Sequence, residues 1–322
     1  MDKRIAPLTT FNSAEAYAPA SMGNVGVGFD ILGLAFCEPG DIVRVERRLD
    51  GTDIVIESIE GDGGVLPRDA AKNTASVAVK AFLKMIDASS GVCISLKKGL
   101  PLSSGLGSSA ASAVAAVVAV NALFGEPLSC EELLPACLEG EALVSGYHAD
   151  NVGPSLLGGI TLITGTSIQD IYRLPVPENM HFALITPNIA VPTVEARAVL
   201  PQMISLKQMV SQTGAVARLI DALYRNDLQA VVQAMESDEV VEPARAMLMP
   251  LLNEARTLAK QKGALGLVIS GAGPTLCAVC DSSKTAVHVA DALQGLYDEA
   301  KIGGVARVTK VDQTGARVLN VL

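Results

Sequence analysis

The sequence predicts an α+β chain of two domains, and three observations carry that expectation. Its 322 residues are 49% hydrophobic, 18% charged and 3% aromatic, a make-up that builds compact cores from Ala, Val, Leu and Ile and exceeds what one small core needs. Helical and extended segments mix without the strict strand–helix alternation of a doubly wound sheet. Periodicity fails from Gly165 to Pro177, where GTSIQDIYRLPVPEN gathers prolines. The expected domains are therefore residues 1–165 and 166–322.

From Phe11 to Val45 the chain reads as strands around a glycine-rich bend, through EAYAPAS, NVGVGFDILGLAF and DIVRVERR. GTDIVIESIEG repeats the alternation and suggests an antiparallel region. NTASVAVKAFLKMI has the spacing of an amphipathic helix capped by Asn73 or Thr74. GVCISLKKGLP is a strand feeding a serine-rich loop. Ala110 to Phe124, apolar on every side, is a buried helix. SCEELLPACLEGEALVSG is a further helix, with Ser129 as N-cap and Glu131 and Glu132 in its first turn. YHADNVGPSLLGGITLIT reads as a polar tetrad, a Pro and Gly turn, and a strand.

Beyond the boundary, HFALITPN is a strand, and EARAVLP opens a helical stretch ended by Pro201. SLKQMVSQTGAVARLIDALYRND and LQAVVQAMES are helices. ARAMLMPLLNEARTLAKQKG reads as one helix closed by Gly263, and LGLVISGAGPTLCAVCD as two strands about a glycine turn. TAVHVADALQGLYDEA is a helix, and ARVTKVDQ is the closing strand.

A formal charge of −9 without any cluster of Lys and Arg argues against nucleic acid and for a small-molecule partner. No charged and apolar leader opens the sequence, and Ala110 to Phe124 is too short and alanine-rich to span a bilayer comfortably. A soluble, cytoplasmic protein is expected. Cys37, Cys93, Cys130, Cys137, Cys277 and Cys280 are scattered in apolar contexts, which fits a reducing compartment. Cys277 and Cys280 form a CxxC, but a strand aims them apart, so they are expected to be buried thiols rather than metal ligands.

The stretch Gly99 to Gly125 holds the strongest chemical signal. Ser103, Ser104, Gly105, Gly107, Ser108 and Ser109 fall within seven positions just before a helix. Glycines allow close backbone approach, hydroxyls add donors, and the helix start offers unpaired N–H groups to an anion. The pattern GxxxxGK[ST] is absent because no Lys follows the second glycine, and GxGxxG fails as well. A dinucleotide site built on GNVGVG fails because Ile31 stands where a third glycine is required.

Four clusters interrupt the apolar sequence: SMGNVGVGFD, PLSSGLGSSAAS, HADNVGP and SGAGPT. Together they resemble the signature set of the GHMP superfamily of small-molecule kinases, whose phosphate loop PxxxGLGSSAA is matched over its full length. Within that superfamily the chain is most similar to the homoserine kinases, through APASMGNVGVGFDILGLA, HADNVGPSLLGG, EARAVLP and EPARAMLMP. It departs from the usual pattern with GN for AN, GVGFD for GPGFD and SSGLGSS for GSGLGSS, and none of these removes a functional group. The resemblance implies a GHMP-kinase fold with an N-terminal mixed β/α nucleotide-binding domain and a C-terminal ferredoxin-like α/β sandwich. It also implies a transferase that uses ATP and magnesium to phosphorylate the side-chain hydroxyl of homoserine, a step toward threonine.

On that resemblance, ATP falls on Asn73, Pro101, Leu102, Ser103, Ser104, Gly105, Leu106, Gly107, Ser108, Ser109, Ala110, Gly271 and Gly273. Magnesium falls on Ser109 and Glu141, with Glu139 as the alternative. Homoserine carries an ammonium, a carboxylate and a hydroxyl, and its expected pocket is Ser21, Asn24, Asp30, His148, Asp150, Arg197 and Arg245. The aspartates suit the ammonium or hydroxyl, Asn24 and His148 suit orienting bonds, and the arginines suit a carboxylate or phosphate charge. Asp150, Asn151 and Arg197 are expected nearest the chemistry, with the use of a general base left open. Competing readings are a related kinase for a mevalonate-like or sugar substrate and a non-catalytic nucleotide-binding regulator. A homodimer is also left open.

Overall fold

The computed structural model describes residues 9–322, and its first half is built on two long antiparallel strands, β1 (Ser13–Gly23) and β2 (Leu32–Arg47). Ala14, Ala16, Ala18 and Ala20 of β1 are all buried, and such small side chains let a helix lie close over the sheet. Between the strands, Asn24, Val25, Gly26 and Asp30 take positive φ. The Asn24 side-chain oxygen accepts the Asp30 N–H at 3.1 Å and closes this bend.

Next come β3 (Ile54–Glu60), α1 (Thr74–Met85) and β4 (Val92–Lys97). β4 pairs antiparallel with β2 but parallel with β3. This corrects the antiparallel expectation for β3: α1 carries the chain back across the sheet, as a parallel pair requires. Asn73 caps α1 by accepting the Ala75 N–H at 3.0 Å. α2 (Ser108–Leu123) is buried at every position from Ala110 to Leu123 and packs on α1, β1 and β2.

The helix expected from Ser129 begins instead as a tight turn at Glu131–Leu133, and α3 runs from Leu134 to Ala142. The HADNVGP segment is also different from its expected turn. It forms α4 (Ala149–Leu157) with Pro154 inside it. Pro154 has no N–H for the Asp150 carbonyl. That carbonyl lies hard against Gly33, where a Cβ would overlap it. β5 (Ile160–Ile163) and β6 (Ile171–Leu174) extend the sheet from β2, so residue 165 lies in the loop of this hairpin.

The second half opens with β7 (His181–Pro187), followed by α5 (Thr193–Ala198), α6 (Leu206–Tyr224), α7 (Leu228–Met235) and α8 (Val241–Arg245). The single helix expected over residues 244–263 is broken. After a tight turn at Ala246–Leu248 the chain restarts as α9 (Leu252–Gln261), because Pro250 cannot continue a helix and Leu251 takes a φ of 60°. Gly263, at φ 103°, ends α9 as expected. β8 (Gly266–Ile269), β9 (Leu276–Cys280), α10 (Ser283–Glu299) and β10 (Gly304–Lys310) complete an antiparallel sheet in the order β10-β7-β9-β8. With α9 and α10 as its two crossovers, this is the ferredoxin-like arrangement. β11 (Arg317–Val321), not anticipated, returns to pair with β1.

The two faces of this second sheet pack into different cores. Phe182, Leu184, Val268, Cys277 and Val279 join the large core of the first half. Ala183, Ile185, Ala278 and Cys280 face α9 and α10. Cys277 and Cys280 thus point into different cores, and all six cysteines are free thiols. Among the described residues, no helix is long and apolar enough to cross a membrane.

Candidate active site

The bend after β1, the loop before α2, the start of α4 and the glycine loop between β8 and β9 converge on one cavity of about 400 Å³. Of the anticipated residues, it is lined by Asn24, Asp30, Asn73, Leu102, Ser103, Ser104, Gly105, Gly107, Ser108, Ser109, Glu141, His148, Asp150, Asn151, Arg197, Arg245 and Gly271. Ser21, Pro101, Leu106, Ala110 and Gly273 stand behind the wall. Leu106 and Ala110 are fully buried anchors. The Ser21 N–H donates to the Leu106 carbonyl at 3.1 Å, and its hydroxyl donates to Asn151 Oδ1 at 3.0 Å. The Pro101 carbonyl accepts the Ser104 hydroxyl at 2.8 Å, and the Gly273 N–H donates to the Ser270 carbonyl at 2.8 Å.

The serine-rich loop is shaped by positive φ at Ser103, Gly105 and Gly107. At Gly105 a Cβ would overlap the Ser270 carbonyl, and at Gly107 it would overlap the Ser21 hydroxyl. Two further bonds stitch this loop to the glycine loop: Ser270 Oγ to the Gly105 carbonyl at 2.7 Å, and the Thr275 N–H to the Ser104 carbonyl at 3.1 Å. Gly107 caps α2 without any side-chain bond, so the first N–H groups of the helix stay open to a ligand. The Ser108 hydroxyl is buried without a partner, a donor waiting for an acceptor.

Beside that helix start, the Ser109 hydroxyl donates to Glu141 Oε2 at 2.7 Å, and the Ser145 hydroxyl donates to Oε1. Burial pushes the Glu141 carboxyl up, and the two hydroxyls oppose the shift. Glu139 is exposed and bonds the Tyr147 hydroxyl at 3.1 Å. Of the two glutamates, Glu141 is therefore the one at the cavity. Hard oxygen donors with a single buried carboxylate suit magnesium, which keeps several ligand positions for phosphate and water. Among the described residues no cluster of three metal-ligating side chains exists, so such an ion would depend on phosphate oxygens.

The opposite end carries paired charges. Asp30 accepts two bonds from Arg197, at 2.8 and 3.1 Å, and His148 Nδ1 lies 3.7 Å from it. That pairing raises the Arg197 pKa, yet its Nε is buried without a partner. Arg245, far from being a surface charge, is 3% exposed and donates to the carbonyls of Ala196 at 3.1 Å and Gly271 at 2.9 Å. Its pKa is lowered to about 10, by burial and then by Arg197. Asp150 is pushed up to about 7, first by burial and then by the charges of Asp30 and Glu141, with Arg197 opposing.

Several further residues, not among the anticipated site residues, line the cavity. Phe29 lies under both guanidinium groups, 5.5 Å from Arg197 and 5.4 Å from Arg245. Val65, Leu66 and Pro67 line the end near Asn73. Their loop is closed by Asp62, which accepts the N–H groups of Gly64 and Leu66. Nothing in the sequence GDGGVLP marks a ligand. Lys98 also lines the cavity.

The family models for the N-terminal and C-terminal domains of GHMP kinases match residues 73–159 and 219–299. The chain is 41% identical over 315 residues to a homoserine kinase of Chlorobium phaeobacteroides, covering 94% of this chain and 98% of that one. It is 39% identical over 322 residues to a homoserine kinase of Arabidopsis thaliana, covering 98% and 87%. A crystal structure of homoserine kinase from Cytophaga hutchinsonii matches with a TM-score of 0.91 at 40% identity, covering 98% of this chain and 100% of that one. An L. major mevalonate kinase in complex with R-mevalonate matches with a TM-score of 0.72 at 18% identity, covering 96% and 99%, which is a likeness of fold alone.

Proposed function

Because this chain belongs to the GHMP kinases, and among them to the homoserine kinases, we propose that it transfers the γ-phosphate of ATP to the side-chain hydroxyl of L-homoserine. The observation that carries the reading is the joining, in one cavity, of an anion-binding loop at the start of α2 to a carboxylate and guanidinium set at the other end. An amino acid offers the complementary ammonium and carboxylate. A plain polyol or sugar offers neither.

Backbone N–H groups from Ser103 to Ser109 and the open start of α2 hold the phosphates. Ser109 and Glu141 are the residues that would hold magnesium, which when bound neutralises charge on the phosphate oxygens. Asp30 takes the homoserine ammonium, while Arg197 and Arg245 take its carboxylate or the developing phosphate charge. Asn24 and His148 orient the amino acid, and Asn151, held by Ser21, orients the reacting groups. The hydroxyl oxygen bonds to the γ-phosphorus as the bridging oxygen leaves with ADP. Asp150 accepts the hydroxyl proton, and a carboxyl near pKa 7 is matched to that task at neutral pH.

The first half of the chain supplies the phosphate loop, and the second half supplies the glycine loop packed against it and the two arginines, within a cytoplasmic enzyme that needs neither nucleic acid nor a membrane. Arg197→Ala tests the assignment. It is expected to raise the KM for homoserine by about tenfold or more, equivalent to ~1.4 kcal/mol, with the KM for ATP little changed. Equal losses for both substrates contradict it.

A further inference from the structure

Behind the phosphate loop, one buried ion pair joins the loop's two ends. Asp41 on β2 and Lys98, just past β4, each have side chains 1% exposed. Asp41 Oδ1 accepts the backbone N–H groups of Gly99 at 3.0 Å and Leu100 at 3.2 Å, which fixes the loop's entry. Lys98 Nζ donates to Asp41 Oδ2, to the Ser108 carbonyl at 2.9 Å and to Ser112 Oγ at 2.7 Å, which fixes its exit and the first turn of α2. Ser112 Oγ also donates to Asp41 Oδ2 at 2.8 Å.

This is a poor place for a cation on stability grounds alone. The start of a helix is already positive, so an ammonium there is disfavoured. Both charges also lose their hydration, and an apolar pair of similar volume holds a core as well or better. Burial accordingly pushes the Lys98 ammonium below its ordinary value, against the pull of Asp41. What an apolar pair cannot supply is the set of bonds to both ends of residues 99–108.

We propose, resting on the reading of this loop as the ATP phosphate site, that Asp41 and Lys98 are positioning residues that hold the loop in its nucleotide-competent shape. The loop's N–H groups bind phosphate only while they converge. Freeing its ends spreads the chain over other conformations and lowers apparent affinity by the fraction that remains competent. The homoserine side, built on Asp30, Arg197 and Arg245, bonds neither residue of the pair.

The test is calorimetric titration of the full chain with magnesium and ATP, alongside the KM for homoserine and a melting curve. The variants are Ser112→Ala, which removes one neutral group, and the double variant Asp41→Asn with Lys98→Met, which leaves no lone charge buried. The double variant is expected to bind ATP about tenfold weaker or more while the homoserine KM moves less than about twofold. Ser112→Ala is expected to weaken ATP by about threefold. Amide exchange over residues 99–108 is expected to quicken in Ser112→Ala, with the rest of the chain unchanged. Parental ATP affinity in both variants, or losses that fall equally on ATP and homoserine, overturns the proposal. Should the double variant not fold, unchanged exchange and affinity in Ser112→Ala overturns it alone. Failure of the unaltered chain to bind ATP overturns instead the functional reading on which the proposal stands.

Discussion

Asp150 is where the chemistry and the stability of the site pull in opposite directions. Its folded pKa of about 7 lies above the ordinary 3.8, so the folded state holds the proton more tightly than the unfolded state. The stability this contributes is fully present below about pH 4 and is lost as pH rises through about 7. Asp150→Asn is therefore expected to melt higher than the parent at pH 8 and at nearly the same temperature at pH 4, both measured without ligands. Its homoserine turnover is expected to fall by about a hundredfold or more. A variant less stable than its parent at pH 8 contradicts the burial account. Single residues were legible where a motif held them. Asp30 and Asp150 stand in polar clusters that interrupt apolar sequence and Arg197 in a segment marked by family resemblance, whereas Asp41 and Lys98 sit among or beside strand residues and look like ordinary solvated charges. The choice between Glu139 and Glu141 shows the same limit. Two positions apart on a helix point to nearly opposite faces, and only packing says which face is inside.

At the scale of elements, the phosphate loop depends on Gly107, which combines a φ of 64° with contact against Ser21. Gly107→Ala adds strain in the left-handed region and drives a methyl into the Ser21 hydroxyl, which displaces the start of α2. Titration with ATP is expected to show binding weakened by about tenfold or more. Unchanged affinity contradicts the loop's place in nucleotide binding. The buried helix that follows was legible because it is apolar on every side. α4 was not, because a proline and a glycine in HADNVGP signal a turn to any local reading. The helix survives since the carbonyl that Pro154 leaves without a donor is the one packed against Gly33. The break between α8 and α9 is the opposite case, where helical spacing hid a stop that Pro250 enforces.

For the whole molecule, the chain end is part of the first sheet. β11 covers the outer edge of β1, and its residues are exposed or half-buried without a buried face. A strand of that kind leaves no period-two signal, so nothing in the sequence marks β11 beyond the strand ARVTKVDQ. Removing residues 317–322 bares the edge of β1 and is expected to lower the melting temperature by about 5 °C or more. A melting temperature equal to the parent's contradicts a structural role for β11. The two-sheet plan with its ferredoxin-like second half was legible through family resemblance and not through periodicity, since strand order depends on contacts far apart in sequence. The cavity forms where those distant segments meet, and its proposed task is phosphorylation of an amino-acid hydroxyl. The most direct test is phosphorus NMR after incubation with ATP, magnesium and, in turn, homoserine, mevalonate, galactose and shikimate. Homoserine alone is expected to yield a new phosphomonoester together with ADP. A phosphomonoester from another acceptor and none from homoserine, or ATP bound and left intact with all four, contradicts the assignment.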